Sequence, residues 1–233
     1  MRIANLLPIR DLLPLFLPHH CETCGSDVLG SHQFLCSRCQ EKLPVTGFLK
    51  YAGNPVEKLF YGRCRIQQAG ALYYFTKDSL LQHILFALKY REQKDAGYFL
   101  GRMIGYALQK TDRFDEVDCL IPLPLHPRKE NRRGYNQANL IAAGIVEVWR
   151  RPLIPDAMIR TRFTESQTQR NRIDRWQHMQ DVFSVAKPDL LNNRHLLLVD
   201  DVVTTGASLE ACAKSLLSLP NTRVSIVTAA YTL

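Results

Sequence analysis

An alternation that starts at residue 69 constrains this chain most: short apolar runs of strand length, each followed by a segment whose apolar residues recur at helical spacing. "AGALYYF" has strand character, "DSLLQHILFALKY" has the helical period behind Asp78 as a candidate N-cap, and a second helix is expected through "GYFLGRMIGYALQK". "VDCLI" then reads as a buried strand, followed by a loop with Pro122, Pro124 and Pro127 and a helix through "NQANLIAAGIVEVW". "LLLV", a helix after Gly206 and "RVSIVTAAY" complete the series. Short apolar strands separated by helices predict an α/β domain whose parallel sheet is covered on both faces. The 233 residues, 46% hydrophobic, suffice for one such core and a smaller appendage.

The appendage is expected at the N-terminus, giving a division into residues 1–62 and 63–233. Cys21 and Cys24 are separated by two residues, as are Cys36 and Cys39, with eleven residues between the pairs. Two such hairpins can present four thiolates tetrahedrally, and thiolate softness favours zinc. With four protein ligands no position stays open for a substrate, so the expected role is structural, the metal supplying folding energy that so short a segment lacks. His19 and His20 adjoin the first pair and are expected as exposed flanks. Cys64, Cys119 and Cys212 stand apart, the last two as small buried apolar residues. Seven cysteines, an odd number with four in close pairs, suit a metal site in a reducing compartment better than a disulfide framework. "MRIANLLPIRDLLPLFLPHH" reads as an amphipathic helix with a proline stop, because Asp11 and three prolines interrupt it and no small-residue cleavage site follows. No stretch reaches the roughly 18 apolar residues that span a bilayer, so a soluble, cytoplasmic protein is expected.

The net charge is +8, and the excess is local: residues 126–175 carry 11 basic and 5 acidic residues. Such a concentration points to an anion site, for phosphates or a nucleic-acid backbone. The run "LLLVDDVVTTGAS" at 196–208 supplies a second anion feature. A parallel strand delivers its C-terminal end to the ligand crevice of an open sheet, which places Asp200 and Asp201 there. A helix beginning near Gly206 points its unpaired first-turn N–H groups and its positive dipole end at the same loop. Thr204, Thr205 and Ser208 add hydroxyls, and Gly206 and Ala207 allow close approach. The carboxylates make sense beside a phosphate if the ligand also presents hydroxyls, as a ribose 5-phosphate does, with Mg²⁺ offsetting charge. No Walker loop and no G-x-G-x-x-G is present.

This run resembles the signature of type I phosphoribosyltransferases. The resemblance implies that Asp200 and Asp201 bind the ribose hydroxyls of 5-phosphoribosyl 1-pyrophosphate (PRPP) and that Thr204–Ser208 hold its 5-phosphate. "VDCLIPLPLHPRKENRRGYNQAN" is similar to the first strand and pyrophosphate loop of that fold, with Arg128, Lys129, Arg132 and Arg133 facing the diphosphate or a DNA backbone. The Arg-rich stretch at 160–175, with Arg170 and Arg172, falls where that fold carries a mobile closing loop. Catalytic roles would go to Asp200, Asp201 and Arg170.

The four-cysteine knuckle, "FALKY", "PLPLHPRKENRRGYNQ", "RFTESQTQRNR" and "LLLVDDVVTTGAS", in this order, resemble the ComF/GntX family of bacterial competence-associated proteins. Lys89, His126, Arg133, Tyr135, Asn136 and Gln137 match the family pattern without an assigned role; for "RGYNQ" the alternative is a helix start capped by Asn136. The resemblance implies a protein of DNA uptake and natural transformation that handles single-stranded DNA through a phosphoribosyltransferase-like domain, with a competence helicase as a family-level partner. Two other readings use the same pocket: an active phosphoribosyltransferase releasing pyrophosphate to a nitrogen acceptor, and a PRPP-sensing regulator.

Overall fold

The computed structural model describes residues 19–28, 34–161 and 182–232. The expected N-terminal helix and the basic stretch containing Arg170 and Arg172 lie outside the described residues. The chain forms two compact units, residues 1–43 and 44–233.

In the first unit, β1 (His19–His20) pairs antiparallel with β2 (Asp27–Val28), and α1 (Ser37–Glu41) starts directly after Cys36. The turn between the strands closes because Gly25 adopts φ 67°, a left-handed conformation that glycine takes without strain.

The second unit runs α2 (Pro55–Lys58), β3 (Ala69–Phe75), α3 (Leu80–Tyr90), α4 (Lys94–Leu108), β4 (Cys119–Pro122), α5 (Pro127–Arg133), α6 (Gln137–Val148), β5 (Met158–Arg160), β6 (Phe183–Val185), β7 (His195–Val203), α7 (Ala207–Leu217) and β8 (Arg223–Thr232). Four strands form one parallel sheet in the order β3-β8-β7-β4, with Leu198 standing between Ile121 and Ile226. The central pair β7 and β8 is apolar on both faces, as a strand covered from both sides must be. Side chains alternate along β7: Leu196 and Leu198 join the core cluster with Leu209, Cys212 and Leu216 of α7, whereas α6 packs on the opposite face. Cys119 and Cys212 are buried, as the sequence suggests.

Three local details differ from the sequence reading. The α3 cap is Ser79, whose Oγ accepts from the Gln82 N–H at 3.2 Å; Asp78 sits one position too early, in a left-handed conformation with φ 58°. The segment after β4, expected as a loop, contains the short helix α5. It starts at Pro127 behind a His126 side-chain cap and stops at Gly134 with φ 77°, so an N-terminal proline and a C-terminal glycine frame a stretch with no apolar period. Third, β7 continues through Asp200 and Asp201 to Val203, because Val202 and Val203 still pair with Ala230 and Tyr231 of β8.

Residues 44–62, which the sequence groups with the knuckle, pack within the sheet unit. Asn54, fully buried, caps α2 by accepting from Val56 and Glu57 N–H groups and donates to the carbonyls of Phe48, Tyr51 and Ala69. Glu57 accepts from the Gly53 and Ala69 N–H groups and is paired with Arg113. On the other side of the sheet α4 and α6 meet backbone to backbone. A Cβ on Gly101 would lie 2.1 Å from the Ile141 carbonyl oxygen, and one on Gly144 would lie 2.4 Å from that of Tyr98.

Candidate functional site

The alternation that splits β7's leucines also splits its carboxylates. Asp200 falls on the α7 face and Asp201 on the face of α3 and α6, so the two meet different partners although they are adjacent in sequence. Asp201 accepts a salt bridge from Lys89, Nζ to Oδ2 2.6 Å, with side chains 24% and 13% exposed. Lys89 sits in the last turn of α3, and the buried Tyr135 hydroxyl donates to the Leu88 carbonyl at 2.6 Å, fixing that turn against the start of α6. Asp200 accepts from the Asp201 backbone N–H at 2.8 Å. Burial, and then the neighbouring charge of Asp201, push its carboxyl up to about 8; Lys89 and Arg160 act in the opposite direction.

Arg160 is the link that the sequence reading left among the general arginines of its segment. It ends β5, carries its guanidinium 5.3 Å from the centre of the Phe183 ring, and lies close enough to raise the charge around α5. Partial burial and then the positive charges of Arg160, Arg133 and Arg132 lower the Lys129 ammonium. Burial and then Arg128, Arg160 and Lys129 lower His126. Arg160 is thus near enough to act on Asp200 on one side and on Lys129 on the other, and Lys129 is in turn acted on by Arg133; Arg128 and Arg132 stand exposed on the same short helix. An anionic ligand would relieve the mutual repulsion that adds to burial in lowering this lysine.

The loop after β7 takes the expected form. Gly206 adopts φ 73°, with α7 starting at Ala207 and no side chain capping it. Thr204, Thr205 and Ser208 are exposed, and no hydrogen bond to their hydroxyls is found among the described residues. Gly206 is needed on two counts: its left-handed backbone, and the Phe60 ring 3.1 Å from where a Cβ would lie. The loop is held from outside by Arg63, which donates to the Thr205 carbonyl at 3.1 Å and pairs with the buried Glu210 of α7. Glu210 also receives Lys214 at 2.7 Å, so its charge is matched twice without involving the loop's own donors.

"RGYNQ" is chiefly a helix start. Asn136 caps α6 by accepting from the Ala138 N–H at 3.0 Å and donates to the Leu123 carbonyl at 3.0 Å. The buried Gln137 accepts from Arg133 Nη1 at 2.8 Å, which orients that arginine.

In the other unit, the ligand atoms of Cys21, Cys24, Cys36 and Cys39 all lie within 4.8 Å of one another, and Cys24 Sγ is 3.7 Å from Cys36 Sγ. Tetrahedral thiolates at about 2.3 Å from a zinc ion stand about 3.8 Å apart, so this set fits such an ion. The thiols already differ: Ser26, through its hydroxyl at 3.0 Å and its N–H, holds Cys24 down to about 6, and burial among the other sulfurs pushes Cys39 up to about 12. A central cation would favour the thiolate at all four. His20 is engaged by Asp27, Nδ1 to Oδ1 3.0 Å. No helix among the described residues is long and apolar enough to cross a membrane.

The chain thus joins a four-cysteine cluster to a parallel sheet with a carboxylate pair and a T-T-G loop at the end of a central strand. No protein-family model matches the chain. Competence protein F of Haemophilus influenzae is 26% identical over 219 residues, covering 88% of this chain and 93% of that one. DNA utilization protein YhgH of Escherichia coli O157:H7 is 28% identical over 200 residues, covering 84% and 77%. Among solved structures, the glutamine PRPP amidotransferase from B. subtilis superposes with a TM-score of 0.42 at 17% identity, covering 62% of this chain and 30% of that enzyme, so the chain spans less than a third of its length. The chain is similar as well to competence protein ComFC of Bacillus subtilis, 31% identical over 103 residues, covering 44% of this chain and 40% of that one.

Proposed function

We propose that the sheet unit binds PRPP, or ribose 5-phosphate, with Mg²⁺ at the end of β7, and that the protein serves DNA uptake in the cytoplasm by handling single-stranded DNA. The observation that carries the ligand reading is the contrast at Asp200–Ser208. Two carboxylates, one matched by Lys89 and one raised toward neutrality, stand directly before a loop whose hydroxyls and helix-start N–H groups have no described partners. A phosphate takes the donors, and ribose hydroxyls donate to the carboxylates. Mg²⁺ would be held by the ligand's diphosphate and one of these carboxylates, and would neutralise the charge between them. The DNA reading is supported by the names of the relatives, competence and DNA utilization, together with the basic surface of α5. The four-cysteine set is read as a structural zinc site, because all four positions are protein ligands.

A second reading, transfer of the phosphoribosyl group to a nitrogen acceptor with release of pyrophosphate, is favoured by Arg160, whose charge acts on Asp200 and which in turn neighbours Lys129. Preorganised positive charge stabilises a departing diphosphate, and the carboxylates stabilise positive charge developing on the ribose. In this reading Asp200 and Asp201 are the catalytic candidates; Arg170, expected beside them, lies outside the described residues.

Calorimetric titration of the zinc-loaded protein with PRPP and Mg²⁺, repeated for Asp200→Asn/Asp201→Asn, tests the ligand assignment. The expected result is binding that the double variant loses by at least about tenfold, the effect of removing charge-assisted hydrogen bonds. Equal affinity in both proteins would remove the carboxylates from the ribose site. Pyrophosphate release with an amine or nucleobase present would select the enzyme reading.

A further inference from the structure

We propose that the outer face of α3, continued by Arg133, is a stacking platform for single-stranded nucleic acid; this deepens the DNA-handling function proposed above and rests on it. Phe86 and Tyr90 lie one helical turn apart with ring centres 4.9 Å apart at 42°, and they remain 48% and 60% exposed. Each ring has a guanidinium over it: Arg91 is 5.6 Å from the Phe86 centre and Arg133 is 5.7 Å from the Tyr90 centre. The two arginines come from different elements, one from the end of α3 and one from the last turn of α5, so the arrangement is tertiary.

Two large aromatic faces left in water among cations match unpaired bases better than an apolar protein surface. Base faces stack on rings whatever the sequence, and the flanking charges neutralise the phosphates between them. Of the segments that supply the two arginines, 91–95 is neutral and α5 carries Arg128, Lys129, Arg132 and Arg133 against Glu130, so the positive excess comes from α5. Bases in a duplex have no free faces for such rings, which selects a single strand. The same turn of α3 sends Lys89 inward to Asp201, so a strand on the platform would run beside the ribose pocket.

The test is fluorescence anisotropy of a labelled oligothymidylate of about fifteen nucleotides, enough to cover one aromatic groove, with wild type, Phe86→Ala/Tyr90→Ala and Phe86→Tyr/Tyr90→Phe at low and raised salt. The expected result is salt-sensitive binding by the wild type, loss of roughly a hundredfold in the alanine variant, and retention in the aromatic exchange. An abasic strand of equal length should bind wild type as weakly as the intact strand binds the alanine variant. Because both rings are exposed, the alanine variant should keep its fold by circular dichroism and its PRPP titration. Binding of the alanine variant within about twofold of wild type overturns the platform and leaves the DNA reading standing, since two stacking contacts would cost more. Failure of the wild type to bind the strand at low salt overturns both.

Discussion

Replacing Lys89 with methionine removes the positive charge between α3 and the carboxylates while keeping the length of the stem. Lys89 Nζ is 2.6 Å from Asp201 Oδ2 and both side chains are largely buried. Unit charges centred about 4 Å apart attract by about 4 kcal/mol at an effective dielectric of 20, and desolvation offsets much of this. A net loss of about 1–3 kcal/mol is expected near pH 7, where Asp200, raised to about 8, is still mostly protonated. Above pH 8 the wild-type Asp200 ionises next to Asp201, and the attraction of Lys89 for that charge is lost in the variant. Removing the ammonium raises the Asp200 carboxyl further, so the folded variant holds a proton that its unfolded chain has released, and its stability falls as pH rises. The penalty should therefore be larger at about pH 9.5 than at about pH 7. Urea unfolding of wild type, Lys89→Met, Asp201→Asn and the double variant at the two pH values measures this as a cycle. The reasoning fails if the coupling is below about 0.3 kcal/mol, or if the penalty is flat or shrinks with pH.

Gly144→Ala should destabilise the sheet unit by about 3 kcal/mol, because the new Cβ meets the Tyr98 carbonyl and only a backbone shift between α4 and α6 makes room; chemical unfolding reads this directly. His195 is buried, shares a hydrogen bond of 2.8 Å between Nε2 and Ser225 Oγ, and is held below the usual histidine range by burial and then by Arg223. The unfolded chain takes up this proton first, so stability should be lost as pH falls through about 6.5, and His195→Gln should show a shallower loss in urea titrations on either side of that value. Metal analysis should give one zinc per chain, and Cys24→Ser should lose it along with protection of the 19–43 segment from proteolysis; full metal content in that variant would refute the four-thiolate site.

The sheet was legible because its strands are apolar on both faces: "LLLV" and "RVSIVTAAY" fit no exposed or half-exposed strand. Helix α5 was not, because "PRKENRR" has no apolar stripe; its signals were the Pro127 start and the Gly134 stop, which an anion-loop expectation masked. The Asp78 reading failed for a similar reason, since Asp and Ser are both good caps and only the backbone turn decides between them. Within the candidate site the local part, Asp200 to Ser208, was contiguous and hence readable. What escaped was tertiary. Lys89 was noticed as a matching residue without a role, and only the fold brings it 2.6 Å from Asp201. Arg160 gains its position from the short β5–β6 pairing, which three residues per strand could not announce. Conversely, Tyr135, Asn136 and Gln137 prove to hold α3, the end of β4 and Arg133 in place, contacts by which a motif can matter without touching a ligand.

The central claim is that the carboxylates of β7 read ribose hydroxyls beside a phosphate, and a comparison of two sugars tests it without altering the protein. Ribose 5-phosphate and 2-deoxyribose 5-phosphate carry the same phosphate and differ at one hydroxyl. Competition of each against PRPP and Mg²⁺ by calorimetry should rank ribose 5-phosphate tighter by roughly tenfold or more, the effect of leaving a buried carboxylate short of one donor. Equal competition by the two sugars would contradict the account and reduce the pocket to a phosphate site.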